Sequence, residues 1–212
     1  MLTAILVVVG YLCGSMPWGY WLVRVFRRED IRTKGSGNIG ASNVWRLYGR
    51  YLGLPVVLLD TLKGFAPALA ATLVVGHGTG VLTGAAAMLG HYRPLFMKFQ
   101  KGGKMVATAG GAFLGIAPAV GGLAAAVWVV VFFTLRYPSL ASIVSALSLG
   151  LWSWLLGYPW PVTAFGGVAA AGVIVLHRAN LKRLVRGEEN RSTLWRRWWR
   201  KGPKAANPSA SL

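Results

Sequence analysis

The stretch that decides the fold is MVATAGGAFLGIAPAVGGLAAAVWVVVFFTL, residues 105–135, an apolar run too long for one membrane span. About 20 apolar residues are enough to cross a hydrocarbon core of about 30 Å. Pro118 and the Gly121–Gly122 pair interrupt the run, and both residue types favour a turn. The run therefore predicts two short helices, at 105–117 and 119–135.

Five further apolar segments bring the predicted number of spans to seven; they occupy residues 2–26, 52–75, 79–97, 138–156 and 161–178. Among the loops, Lys and Arg occur only in alternate ones: loops 27–51 and 98–104, the junction at Arg136 and the tail from Arg178 contain them, whereas the N-terminus, residues 76–78, the turn near Pro118 and residues 157–160 have none. Cytoplasmic loops carry the excess of Lys and Arg. We therefore predict an all-α integral membrane fold of seven transmembrane helices, with the N-terminus outside and the C-terminus cytoplasmic. A six-helix count would place Arg136 and the C-terminal tail on the wrong side.

The composition agrees with one membrane domain, since 55% of the residues are hydrophobic and 13% are charged. The net charge of +18 would suggest nucleic acid in a soluble protein, but here the cations flank apolar segments and topology explains them. We predict membrane lipids as partners and no nucleic acid. The predicted domains are a seven-helix membrane domain, 1–187, and a basic, Trp-rich cytoplasmic tail, 188–212, with a disordered end. The tail is either a solvated segment or one that lies on anionic lipid.

A glycine-rich element lies between the first two spans, in Gly35-Ser36-Gly37-Asn38-Ile39-Gly40. Glycine amides and the Ser and Asn side chains supply donors for a phosphate, and Arg46 follows nearby. The pattern also matches the dinucleotide-binding glycine fingerprint, but no buried strand precedes it, so we do not predict that site. The alternative to a phosphate site is a flexible connector.

Two further elements fall on the same predicted membrane face. Gln100-Lys101-Gly102-Gly103-Lys104 opens the fourth span, where a helix N-terminus favours an anion. The alternative is a hinge with topogenic charge. His177 and Asn180 end the last span, and histidine is a natural acid or base near neutral pH. The alternative for His177 is a helix cap.

The second span contains Asp60 and Lys63, which are spaced to pair on one helix face. Charged residues inside a membrane are functional candidates by default, although a structural pair that supports the bundle is the simpler interpretation. The chain has five acidic residues and no Cys/His cluster, so we predict neither a metal nor a cofactor.

Together these elements resemble the bacterial acyl-phosphate-dependent glycerol-3-phosphate acyltransferases, the PlsY family, over residues 1 to about 189. The resemblance is carried by the following residues: Gly14 to Tyr20, Asp30 to Arg32, Gly35 to Val44, Asp60, Lys63-Gly64, Gly90-His91, Pro94, Phe99, Gly102 to Lys104, Val106 to Thr108, Arg136-Tyr137, Ser139 to Ser142, His177 to Asn180, Arg183, Gly187 and Glu188. The chain departs from the family pattern at Ser42, Arg93, Gln100-Lys101 and Met105.

The resemblance implies transfer of a fatty acyl group from acyl phosphate to the 1-hydroxyl of glycerol 3-phosphate, in a bacterial plasma (inner) membrane. The products would be 1-acylglycerol 3-phosphate (lysophosphatidic acid) and phosphate, formed by direct attack without an acyl-enzyme at the cytoplasmic face. The expected catalytic residues are His177, Asn180, Lys104 and Ser36. The expected substrate- and phosphate-binding residues are Gly35, Gly37, Asn38, Arg46, Gly102, Gly103, Ser142 and Lys63. His177 or the phosphate of the acceptor would be the base. The alternative function is a small membrane transporter of an organic phosphate.

Overall fold

The computed structural model describes residues 1–192, whose regular secondary structure is entirely helical, with no strand. The helices in these residues are α1 (Leu2–Gly14), α2 (Trp18–Arg27), α3 (Ala41–Tyr48), α4 (Arg50–Val74), α5 (His77–Tyr92), α6 (Val106–Ile116), α7 (Pro118–Leu135), α8 (Pro138–Leu155), α9 (Trp160–Leu176) and α10 (Arg178–Val185). Single 3₁₀ turns occur at Ile31–Thr33 and Leu95–Met97. Most of the predicted Trp-rich tail, including its predicted disordered end, lies outside the described residues.

The predicted break in the run 105–135 is confirmed. Helix α6 ends at Ile116, and α7 begins with Pro118 in its first turn. Proline fits that position because the first amide of a helix has no intrahelical acceptor. Pro138 likewise opens α8.

Three predicted spans end or break earlier than expected. The segment 2–26 is interrupted between α1 and α2, where Pro17 cannot supply the amide that would continue the helix. The segment 79–97 is helical only to Tyr92, because Pro94 follows. The segment 161–178 ends at Leu176, and the chain bends by 63° between α9 and α10.

Within residues 1–192, four segments are long and apolar enough to cross a membrane: Leu2–Arg27, α4, α7 and α8. The bent pair α9 and α10 would make a fifth. Helices α5 and α6, of 16 and 11 residues, fall below the length a full crossing requires. The count of seven spans and their orientation therefore stay predictions.

Small residues bring the helices close together. Gly10 and Gly14 of α1 lie against the backbone of Thr83 and Ala87 of α5, where a Cβ would collide. Gly111 and Gly115 of α6 pack in the same way on the backbone of α4. Glycine at such contacts lets two helix backbones approach, which strengthens packing where the hydrophobic effect cannot drive it.

The four basic segments meet at one end of the bundle. Their contacts are Asn38 Nδ2 to the carbonyl of Gly102 (3.3 Å), Lys104 to Asn180, Ser139 to Glu189 (2.7 Å) and the amide of Ser192 to the carbonyl of Arg136 (2.7 Å). Contacts between uncharged segments join Thr3 to Thr79 (3.3 Å between hydroxyls) and His77 to Tyr158 (6.0 Å between ring centroids). The structure therefore gathers the loops that charge alone assigned to one side.

Candidate active site

Asn43, a buried residue of α3, organises the first glycine element. Its side-chain amide donates to the carbonyls of Lys34 (3.1 Å) and Asn38 (2.9 Å), and its oxygen accepts from the amide of Ser36 (3.1 Å). Gly35 and Gly37 adopt positive φ angles of 57° and 68°, which glycine tolerates without strain. The loop therefore wraps around a side chain that the sequence did not single out as a site residue.

Asn38 links the first glycine element to the second. Its side-chain nitrogen donates to the carbonyl of Gly102 at 3.3 Å, and its oxygen accepts from the amide of Gly40 at 2.8 Å. The two elements lie 64 residues apart in sequence and are joined here by one side chain. The structure thus places Asn38 between the elements, in a connecting position.

Several amides that were predicted to bind phosphate already have acceptors. The amide of Gly37 donates to the carbonyl of Lys34 (2.9 Å), that of Gly102 to Tyr92 (2.9 Å) and that of Gly103 to His91 (3.0 Å). An amide has one proton, so these three are not open donors in this structure. The glycines allow close packing, and these three amides do not form an open cradle in this structure; that Gly37, Gly102 and Gly103 bind phosphate stays a prediction.

Arg32 adds a second link between the two elements. Its guanidinium pairs with the carboxylate of Asp30 (2.6 Å between Nη2 and Oδ2), donates to the side-chain oxygen of Gln100 (2.6 Å) and stacks over the ring of Tyr20. The hydrogen bond from Arg32 holds the pKa of Asp30 below its usual value, although burial acts in the opposite direction. Gln100, one of the departures from the family pattern, thus has a defined partner.

Lys104 and Asn180 form the centre of the site. The ammonium of Lys104, which precedes α6, donates to the side-chain oxygen of Asn180 in α10. The pKa of Lys104 is lowered to about 8, mainly by burial and also by the positive charges of Arg183, Lys101 and Arg46, whereas the negative charge of Glu189 opposes the shift. The neighbouring cations and burial make the charged form of Lys104 less favourable, and a bound anion would offset both effects. The cluster is therefore well suited to an anionic ligand.

His177 lies at the bend between α9 and α10 and is only 4% exposed. Its Nδ1 is 2.8 Å from the carbonyl oxygen of Val173. A carbonyl can only accept, so the proton of the neutral ring lies on Nδ1 and leaves Nε2 without one. The ring is therefore in the tautomer that a general base requires.

Glu189 completes this part of the site and was not predicted. Its carboxylate accepts from Asn180 (2.6 Å), Ser139 (2.7 Å) and Arg183 (2.7 Å). Burial raises its pKa, but these hydrogen bonds outweigh burial and hold the pKa of Glu189 below its usual value. Because Asn180 donates its amide to Glu189, its oxygen faces Lys104. The available signal was a pair of acidic residues, Glu188-Glu189, in a chain with few acids.

The remaining predicted site residues have other surroundings. Ser36 is exposed in the first loop, and Arg46 lies near enough for its charge to act on Lys104. Ser142 is buried in α8, donates to the carbonyl of Pro138 (2.7 Å) and accepts from the indole of Trp128 (3.2 Å). Lys63 is buried in α4, where its ammonium pairs with Asp60 at 2.7 Å, so the predicted pairing is confirmed. Among residues 1–192 no group of three His, Cys, Asp or Glu side chains could hold a metal ion.

We expect Glu189→Ala to lower the thermal midpoint in detergent by roughly 5–10 °C. The change leaves Asn180, Ser139 and Arg183 without their shared acceptor, at a loss of about 2–3 kcal/mol in stability. Arg183 is partly exposed and contributes least to that loss. Glu188→Ala, which changes the exposed neighbour, is the matched control. Equal midpoints for the two variants would contradict the assigned contacts.

Comparison with known proteins assigns the chain to a family. A sequence profile described as glycerol-3-phosphate acyltransferase matches residues 4–187. A glycerol-3-phosphate acyltransferase of Desulforudis audaxviator is 44% identical over 190 residues, which are 89% of this chain and 96% of the relative. The corresponding protein of Aquifex aeolicus is 43% identical over 188 residues, 88% of this chain and 97% of the relative.

Solved structures agree with the sequence comparisons. The crystal structure of PlsY (YgiH), an integral membrane glycerol 3-phosphate acyltransferase, in its glycerol 3-phosphate form superposes with a TM-score of 0.89 at 39% identity. The lysophosphatidic acid form gives a TM-score of 0.86 at 38% identity. Each comparison covers 94% of this chain and all of the other. The family resemblance seen in the sequence is thereby confirmed, and this chain belongs to the glycerol-3-phosphate acyltransferase family.

Proposed function

We propose that this protein is a membrane enzyme that transfers a fatty acyl group from acyl phosphate to the 1-hydroxyl of glycerol 3-phosphate. The products are 1-acylglycerol 3-phosphate and inorganic phosphate. The observation that carries the proposal is that Lys104 bonds to Asn180 and lies near enough to His177 for its charge to act on the imidazole, at the end of the bundle where the basic loops gather. A cation and a base-competent imidazole there suit two phosphate-bearing substrates, one with a hydroxyl to activate.

Side-chain cations bind the phosphates in this proposal. Lys104 and Arg46 neutralise phosphate oxygens, and the exposed hydroxyl of Ser36 donates a hydrogen bond. Asn180 holds the ammonium of Lys104 in place, and Asn38 keeps the two glycine elements together. Preorganised donors of this kind stabilise charge that develops in a transition state.

The transfer itself is direct in this proposal. The 1-hydroxyl oxygen of glycerol 3-phosphate attacks the acyl carbonyl carbon, and the bond from that carbon to the phosphate oxygen breaks. The hydroxyl proton passes to Nε2 of His177, and phosphate leaves with the bonding electrons near Lys104. The donor is already activated, so positioning supplies much of the catalysis.

We place the site at the cytoplasmic face of a bacterial plasma membrane, with the chain crossing it seven times. The proposal is supported by the contacts among the basic segments at one end and among uncharged segments elsewhere. Lys and Arg concentrate on the cytoplasmic side of membrane proteins.

A comparison of donors tests the reaction. Protein purified in detergent is given glycerol 3-phosphate with acyl phosphate, acyl-CoA or acyl carrier protein, and lysophosphatidic acid and phosphate are measured. Of the three donors, we expect only acyl phosphate to give product. Product from another donor would overturn the donor assignment, and no product from any donor would favour the transporter, which needs a gradient across a membrane.

Mass spectrometry of the enzyme after incubation with acyl phosphate alone tests direct transfer. We expect no acyl group on Ser36, because the acceptor hydroxyl is the attacking group. An acyl-Ser36 adduct that forms and decays at the rate of turnover would contradict this mechanism.

Activity is expected to fall as pH rises through about 8, because Lys104 loses its proton there. The enzyme with Lys104 protonated is the active form. Nearly all of the enzyme is in that form well below the pKa of Lys104, and little of it is in that form well above that pKa. The measurement is kcat/KM for glycerol 3-phosphate from about pH 6 to 9.5, which reports groups of the free enzyme. In Lys104→Arg the alkaline fall should disappear, because arginine stays protonated. An unchanged fall in that variant would assign it to another group.

A further inference from the structure

His91 lies at the end of α5, directly beneath the second glycine element, and it takes no part in the reaction proposed above. Its imidazole is 4% exposed, and its Nδ1 is 3.8 Å from Oδ1 of Asp60. Asp60 in turn pairs with Lys63 at 2.7 Å, and Lys63 donates to the carbonyl of Met16 at 2.8 Å. Three ionisable side chains are thus buried together inside the bundle.

The backbone carbonyl of Asp60 also has a partner, the hydroxyl of Thr108 on α6, at 3.0 Å. This contact and the bond from Lys63 to Met16 tie the group to α6 and to the break between α1 and α2. Ionisable residues within a membrane are expensive to bury and mark functional positions by default. Because Asp60 and Lys63 form an ion pair with each other, the residue of the group that remains to be explained is His91.

The ring of His91 touches the second glycine element itself. A Cβ on Gly103 would lie 2.9 Å from Cδ2 of His91 and nearer still to Nε2 and Cε1. The amide of Gly103 also donates to the carbonyl of His91 at 3.0 Å. Gly103 therefore lies directly against this imidazole, with no room for a side chain between them.

The residue after Gly103 is Lys104, whose ammonium donates to Asn180. A movement of Gly103 off the imidazole is a movement of the Lys104 backbone, because one peptide bond joins them. The position of the ammonium thus depends on the plane of a ring that lies behind it, next to the Asp60–Lys63 ion pair.

We propose that His91 is a positioning residue: next to the Asp60–Lys63 pair, its ring is the surface that sets Gly103 and hence places Lys104 for phosphate binding. The inference rests on the proposed function, since it explains how the cation of that site is placed. In this proposal the buried ionisable residues of α4 and α5, which are Asp60, Lys63 and His91, contribute to substrate binding without contacting the substrate.

The test is a pair of substitutions that should compensate each other. Gly103→Ala introduces the methyl group that collides with the ring, and we expect the KM for glycerol 3-phosphate to rise by about tenfold or more. Removing the ring in Gly103→Ala/His91→Ala opens the space, and we expect most of that rise to be reversed. His91→Ala alone should raise KM moderately, by about threefold, because Gly103 loses its support.

A parallel glycine substitution controls for the added methyl group. Gly110→Ala adds a methyl to α6 at a position where no other atom lies within 4 Å, so KM should stay at the wild-type value. Thr83→Val controls for a change at a buried polar residue of α5, on the same helix as His91. Partial unfolding would lower kcat without changing KM, so a change in KM separates positioning from loss of folded protein.

The outcomes are distinct. Recovery of KM in the double variant supports the proposal. A KM increase in the double variant that equals the product of the two single-variant increases overturns it. If His91→Ala does not fold, Gly103→Ala/His91→Gln replaces it, because the flexible end of glutamine can move away from the methyl while still reaching Asp60. No recovery in that variant also overturns the proposal. Wild-type protein without acyltransferase activity would instead refute the proposed function, independently of these comparisons.

Discussion

Replacing Lys104 with alanine is expected to lower kcat/KM for acyl transfer by about a thousandfold. Lys104 is the half-buried cation that joins two elements of the site through Asn180. Removing one preorganised charge-stabilising donor costs an enzyme about a hundredfold to a thousandfold in rate. Loss of a phosphate contact from substrate binding adds to this. The measurement is initial-rate formation of lysophosphatidic acid by purified, folded variant.

Lys101→Ala is the matched control for Lys104→Ala, because it removes an exposed lysine of the same loop. We expect its kcat/KM to stay within about threefold of wild type, since solvent screens an exposed charge. Lys104→Arg should fall between the two, because a planar guanidinium keeps the charge but not the geometry. Full activity in Lys104→Ala would refute the phosphate site as described.

The second large effect is expected at His177, where His177→Asn should lower kcat by about a hundredfold to ten-thousandfold. The asparagine amide can still donate to the carbonyl of Val173, as Nδ1 of the histidine does, so the local fold is kept. It cannot accept a proton in place of Nε2. The quantity to measure is kcat at saturating acyl phosphate and glycerol 3-phosphate.

His77→Asn controls for the loss of a histidine, since His77 begins α5 and contacts Tyr158, away from the proposed site. Its kcat should match wild type. If His177→Asn also keeps the wild-type kcat, the phosphate of glycerol 3-phosphate is the base, and His177 is a helix cap. A lowered kcat with an unchanged KM would place His177 in the transition state alone.

Much of the helix pattern could be predicted from apolar segments and from proline. The break at Pro118 is an example, because a proline and a glycine pair interrupt an apolar run that is longer than one membrane span requires. The predictions failed within the segments 2–26 and 79–97, where Pro17 and Pro94 stop helices earlier than hydrophobicity does. The mean hydropathy of a segment indicates that it is buried in lipid. It does not show where a proline removes one backbone hydrogen-bond donor and ends the helix.

The site was predicted as three separate motifs. The structure differs from that prediction in the hydrogen-bond partners of the glycine amides and in the presence of Glu189. Glycine-rich sequence predicted open amides, but the amides of Gly37, Gly102 and Gly103 donate to carbonyls of the surrounding chain. Glu189 escaped prediction because an acid in a basic tail looks like a solvated residue until its three donors are known. The roles of Ser142 and Lys63 in substrate binding stay predictions.

The sequence by itself determined that the chain is an apolar helical protein of this family with its cations in alternate loops. The apolar helices and the placement of the cations follow from composition and periodicity, whereas the family resemblance rests on the glycine-rich motifs and on His177 to Asn180; all of these are local features of the chain. Only the tertiary structure decided that Lys104 reaches Asn180, that Glu189 orients that amide, and that the ring of His91 lies against Gly103. Such contacts join residues far apart in sequence, so they depend on how the helices pack, and no local pattern contains that information.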